Sequence, residues 1–132
     1  MTDGRASGYS APMQKATQGL YWLVAAIGLT GGLIAVFAPW AVLGEAANGT
    51  LAGHLAREQG AGFVFIGLVA AWCARHEASR VPAHYAFLIF TALLAIIHWW
   101  GYLSSGGYFG AAVVNTLPFA AFAATLPRAA TS

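Results

Sequence analysis

Long stretches of this chain carry no charge, and the short polar breaks between them set the expected elements. No Asp, Glu, Lys or Arg occurs over residues 16–44. A helix over 19–43, rising about 1.5 Å per residue, would cross the roughly 30 Å hydrocarbon layer of a bilayer with room to tilt. Tyr21 and Trp22 near one end and Trp40 near the other suit the two membrane interfaces. Pro39 should end or kink the last turn. Residues 45–53 form a polar connection with a turn signal at Asn48-Gly49. The next apolar run, 59–74, reaches only about 24 Å as a helix. Its helix is therefore expected to start near His54 or Leu55 and to run over 55–74, drawing Arg57 and Glu58 to the membrane edge. Residues 75–83 read as a charged connection containing Pro82, and no charged residue follows over 81–127. That stretch is too long for one span. Ser104-Ser105-Gly106-Gly107 divides it into helices over 84–103 and 108–126.

The pattern predicts an all-α integral membrane four-helix bundle over 17–127. Residues 1–16 are expected to form a loose tail and 128–132 a short one. Hydrophobic residues make up 59% of the 132 residues and charged ones 8%, too few to cover a soluble domain. The first apolar run is longer than the h-region of about 7–15 residues in a signal peptide, so it reads as a retained span. With four crossings, Arg5, Lys15, Arg75, Arg80 and Arg128 fall on one side and only Arg57, beside Glu58, on the other. The positive-inside rule then places both termini in the cytoplasm, in the manner of a bacterial inner membrane protein. The net charge of +2 arises from few groups, and no basic stretch is dense enough to track nucleic acid. The single cysteine, Cys73, rules out an internal disulfide and reads as a packed thiol more readily than as a palmitoylation site.

Small residues recur every three or four positions at Ala25, Gly28, Gly32 and Ala35, and again at Gly60, Gly67, Ala71 and Ala74. In lipid such faces let helices approach closely, so they are expected to pack on each other. A homodimer seam is the alternative. Asn48-Gly49-Thr50 matches a glycosylation sequon but reads as a turn beside the membrane.

The candidate chemistry lies in the outer half of the spans. His84, Thr91 and His98 share one face of the third helix, and Tyr102 extends that stripe by one turn. Asn115 on the fourth helix lies at a depth similar to His98, while Arg57 and Glu58 sit at the outer end of the second. Two readings stand open. In one, these groups satisfy each other: Arg57 pairs with Glu45 or Glu58, and Asn115 bonds a neighbouring backbone. In the other, Glu58, His98 and Asn115, with Arg57 and Tyr102, line an outward-facing pocket for a quinone, lipid headgroup or small metabolite. His98 has no His or carboxylate three or four residues away on its own helix, so the usual helical metal pair is missing. No catalytic nucleophile arrangement is legible, and the sequence names no cofactor.

Ala56-Arg57-Glu58-Gln59-Gly60-Ala61-Gly62 leads into the apolar run 63–74, followed later by residues 98–102 and by Asn115-Thr116-Leu117-Pro118. An Arg before a Gly-rich second helix, a His–Gly–Tyr end to the third and an Asn/Pro pair in the fourth resemble the DoxX-like four-helix bacterial membrane proteins over most of 19–126. The resemblance implies a connection to quinone or to a redox complex. The lack of a cysteine pair speaks against direct dithiol chemistry. Few catalytic groups and many outward aromatics favour an accessory or interaction subunit of a larger membrane complex. A DoxX-like redox-associated or small-ligand-binding protein is the alternative.

Overall fold

The computed structural model describes residues 11–127, and every regular element among them is helical. Helix α1 spans Ala11–Phe37, and α2 is a single turn over Trp40–Leu43. A 3-10 turn over Glu45–Ala47 follows, then α3 over Leu51–Arg75, α4 over Glu77–Ser105 and α5 over Phe109–Ala124. Two of these, α1 and α4, are long and apolar enough to cross a membrane. The shorter α5 is also apolar.

Several boundaries differ from the sequence expectation. The loose tail expected over 1–16 does not hold for 11–16, which are the first turns of α1. Pro12 lies in these turns, and its fixed φ near about −65° is compatible with helical backbone. Gln14 Nε2 also donates to Glu77 Oε1 at 2.7 Å. Residues 1–10 and 128–132, with Arg5 and Arg128, lie outside the described residues. Pro39 acts as expected: α1 stops at Phe37, and Pro39 is the N-cap of α2. Helix α3 starts at Leu51, earlier than His54, because Thr50 caps it. The Thr50 hydroxyl accepts from the Gly53 N–H at 3.3 Å and donates to the Ala47 carbonyl at 2.7 Å. The charged connection expected over 75–83 shrinks to His76, the one extended residue between α3 and α4. Pro82 lies in the second turn of α4, so it removes one hydrogen bond close to an end whose first N–H groups have no helical acceptor anyway. Glu77 at that end complements the helix dipole. Gly106, at φ 66°, closes α4 in the left-handed region and starts the tight return into α5.

Contacts divide the chain into two units. One covers Thr17–His76, and the other takes residues from Glu77 on together with those before Thr17. The first is built on α1 against α3, along the small-residue faces that the sequence singles out. A β-carbon placed on Gly32 would stand 2.7 Å from both the Gly60 carbonyl oxygen and the Val64 nitrogen. One on Gly28 would lie 2.9 Å from the Phe63 carbonyl, and one on Gly67 2.8 Å from the Leu29 nitrogen. The backbones touch, and only hydrogen fits between them. Buried Tyr21, Ala25, Ala70, Cys73 and Ala74 also belong to this unit. A GxxxG homodimer would need the same faces, which this intrachain contact already occupies. In the second unit α4 runs against α5, with the Phe87 and Phe122 rings stacked at 5.3 Å.

Glycine substitutions should divide along this seam. Gly32→Ala and Gly67→Ala should each cost about 1–3 kcal/mol through overpacking. Gly62→Ala, with nothing within 4 Å of the added carbon, should be neutral or stabilise by about 0.5–1 kcal/mol. Thermal melting followed by circular dichroism in one detergent checks this. Equal melting of all three variants would place the glycines away from the contact.

Candidate functional site

The five candidate residues fall in different units. Arg57 and Glu58 lie on α3, in the Thr17–His76 unit, while His98, Tyr102 and Asn115 lie on α4 and α5. Glu58 does not pair with Arg57, because adjacent helical positions point apart. Instead Glu58 Oε1 lies 3.2 Å from His54 Nε2, one turn earlier, on an exposed face. Arg57 is half-buried beside them. The expectation that Arg57 pairs with Glu45 or Glu58 is corrected accordingly.

On α4 and α5 the polar groups turn first to their own helices. The Asn115 side-chain amide donates to the Ala111 carbonyl at 2.8 Å. His98 Nδ1 lies 2.8 Å from the Leu94 carbonyl, and a carbonyl only accepts, so this nitrogen carries the proton. Thr91 donates to the Phe87 carbonyl at 2.8 Å. A polar side chain four residues from a helical carbonyl meets its need without any neighbouring helix.

His98 and Tyr102, one turn apart, do come together. They line a depression of about 300 Å³ where α4 turns into α5, with Gly101, Ser105, Gly107 and Tyr108 around them. Asn115 is not among its lining residues. The Tyr102 ring forms a wall, packed against Trp99 at 6.0 Å and Phe109 at 5.4 Å between ring centres. The Ser105 hydroxyl is spent on the Gly101 carbonyl at 2.7 Å. A second, more apolar hollow of about 440 Å³ lies between α4 and α5, among Ala95, Ile96, Trp99, Trp100 and Phe119.

The groups that tie α4 to α5 were only partly legible in the sequence. Buried His84 places Nε2 2.8 Å from the Phe122 carbonyl and meets the Phe122 ring edge-on at 5.1 Å. Trp99 Nε1 donates to Thr116 Oγ1 at 2.9 Å, and that hydroxyl donates to the Ala112 carbonyl at 2.9 Å. The sequence patterns above assign no bond between Trp99 and Thr116. A signal existed: a hairpin closing at Gly106-Gly107 brings positions 99 and 116 opposite each other.

Among the described residues, no three His, Cys, Asp or Glu side chains gather closely enough to hold a metal ion. Comparison with known protein families, curated proteins and solved structures yields no match to this chain.

The Trp99–Thr116 bond gives a direct expectation. Trp99→Phe and Thr116→Val should each lower stability by about 1 kcal/mol. The double variant should lose clearly less than the two losses combined, because both single changes remove one shared bond. Strictly additive losses in a thermal-denaturation cycle would mean the two side chains act separately.

Proposed function

We propose that the protein is an integral membrane protein of four crossings, α1, α3, α4 and α5, with both termini in the cytoplasm. In this reading it serves as a small accessory subunit of a larger complex in a bacterial inner membrane. The observation that carries the membrane reading is the exposure of bulky apolar side chains along whole helices. Ile27, Phe65, Leu68, Trp72, Ile96 and Trp100 all lie open, Trp100 to 71%. Monomeric soluble proteins rarely leave apolar patches beyond a few hundred Å² facing water, whereas lipid requires no cover for them. Helix α3 crosses with Arg57 and Glu58 at its outer end. At its inner end the Arg75 guanidinium lies 5.4 Å from the centre of the Trp22 ring, an interfacial cation–π contact. The accessory role is supported by Ile89, Leu93, Ile96, Trp100 and Leu103. They stand exposed at three- or four-residue intervals on α4, as a face for a second membrane protein requires.

A second reading, a DoxX-like membrane protein that binds a quinone or another small ligand, is favoured by the depression where His98 meets Tyr102. In native membrane discs the accessory subunit should run with other protein in fixed proportion. A disc population holding this chain alone would leave the ligand-binding reading in its place.

Four crossings make a labelling prediction. In a Cys73→Ala background, Ser105→Cys and Asn48→Cys should react with an impermeant thiol reagent applied from outside. Ala78→Cys should react only after the membrane is opened. All three positions are exposed, so access depends on the side of the membrane. The reverse pattern would overturn the topology.

A further inference from the structure

We infer that the depression at the α4–α5 turn is a binding site for a small amphiphile whose head donates a hydrogen bond, such as an alcohol hydroxyl, to His98 Nε2. The inference rests on the small-ligand reading of that depression and names the chemistry it selects. Bonding Nδ1 to the Leu94 carbonyl fixes the tautomer of the neutral ring: Nδ1 holds the proton and Nε2 holds a lone pair. The two nitrogens lie on different sides of the imidazole, so that lone pair points away from the helix's own backbone. His98 lines the hollow, and no hydrogen bond from a described residue reaches Nε2. The serine hydroxyls nearby do not supply a donor, because Ser104 and Ser105 are turned to the Trp100 and Gly101 carbonyls at 2.6 and 2.7 Å.

The rest of the hollow suits a head followed by an apolar body. Gly101 and Gly107 leave it without side chains on two sides, and their backbones meet through a Gly107 N–H to Gly101 carbonyl bond at 3.3 Å. Ile97 and Ala111 line it with apolar surface, and Tyr102 and Tyr108 with aromatic surface. A volume of about 300 Å³ is at the small end of ligand sites, enough for a head and the first part of a chain. A head with only carbonyl or ether oxygens brings Nε2 no proton to accept. Contact with His98 should therefore separate donors from acceptors of the same shape.

The test uses the full chain in lipid nanodiscs with ¹⁵N-labelled histidine, titrated with 1-octanol and, separately, with methyl octyl ether. Octanol should move the His98 Nε2 resonance upfield, as accepting a hydrogen bond does, and should bind roughly three- to tenfold more tightly than the ether, the size of one neutral hydrogen bond. His98→Phe keeps a ring but no acceptor and should abolish that preference. If that variant fails to fold, His98→Gln assigns the resonance and the two titrations of the parent chain decide. Equal response to alcohol and ether would overturn the donor selectivity while leaving a binding hollow. No movement of the His98 signal with either probe would overturn the site itself.

Discussion

Everything in the Thr17–His76 unit depends on how closely the backbones of α1 and α3 approach. Gly28 and Gly32 on one helix face Gly60 and Gly67 on the other at distances where a single methyl group would meet carbonyl oxygen or amide nitrogen. In water, two apolar helices associate by hiding surface. Between helices that lie in lipid, as proposed for this pair, that drive is absent and short-range packing takes its place. Four glycines spaced by four and seven residues provide it along two turns or more. This contact fixes which face of each helix turns inward, and the bulky side chains, Ile27, Phe65, Leu68 and Trp72 among them, are left for the other face.

The α4–α5 pair is joined by different means. Here two aromatic rings stack, and polar side chains cross between helices: His84 to the Phe122 carbonyl and Trp99 to Thr116. Such bonds contribute only modestly in a membrane, since the separated helices find other partners, but they fix rotation and register. The same economy explains why Asn115 and His98 turn to carbonyls on their own helices, where the bond is formed as soon as the helix is. In His98 that local bond has a chemical consequence, because it decides which ring nitrogen is left to meet another molecule.

Much of the fold was legible because it rests on periodic, local signals. Uncharged runs mark the long helices, Pro39 marks the end of α1, and the glycine spacing marks the α1–α3 seam. The misplaced boundaries share one cause: they depend on weak signals that tertiary or capping contacts overrode. Thr50 was read as part of a turn and not as the cap of α3, and Pro82 was read as a break although one lost bond near a helix end is tolerable. Of the site, the meeting of His98 and Tyr102 was legible from their spacing of one turn. For Asn115 a backbone acceptor was legible but not which one, and the partners of Glu58 and Trp99 were not legible, because each side chain can reach several partners at similar cost and the sequence does not rank them.

The proposed topology requires α3 to cross the membrane with its glycine face against α1 and its bulky face in lipid, despite the charges near its start. Single spin labels placed along residues 61–72 in bilayers, read against oxygen and a water-soluble nickel chelate, test it most directly. The account predicts oxygen access that peaks at positions 61, 65, 68 and 72 and falls at 64 and 67, with the chelate excluded from 65 and 68. Free access of the chelate to Phe65 and Leu68, with no helical period in oxygen access, would contradict it.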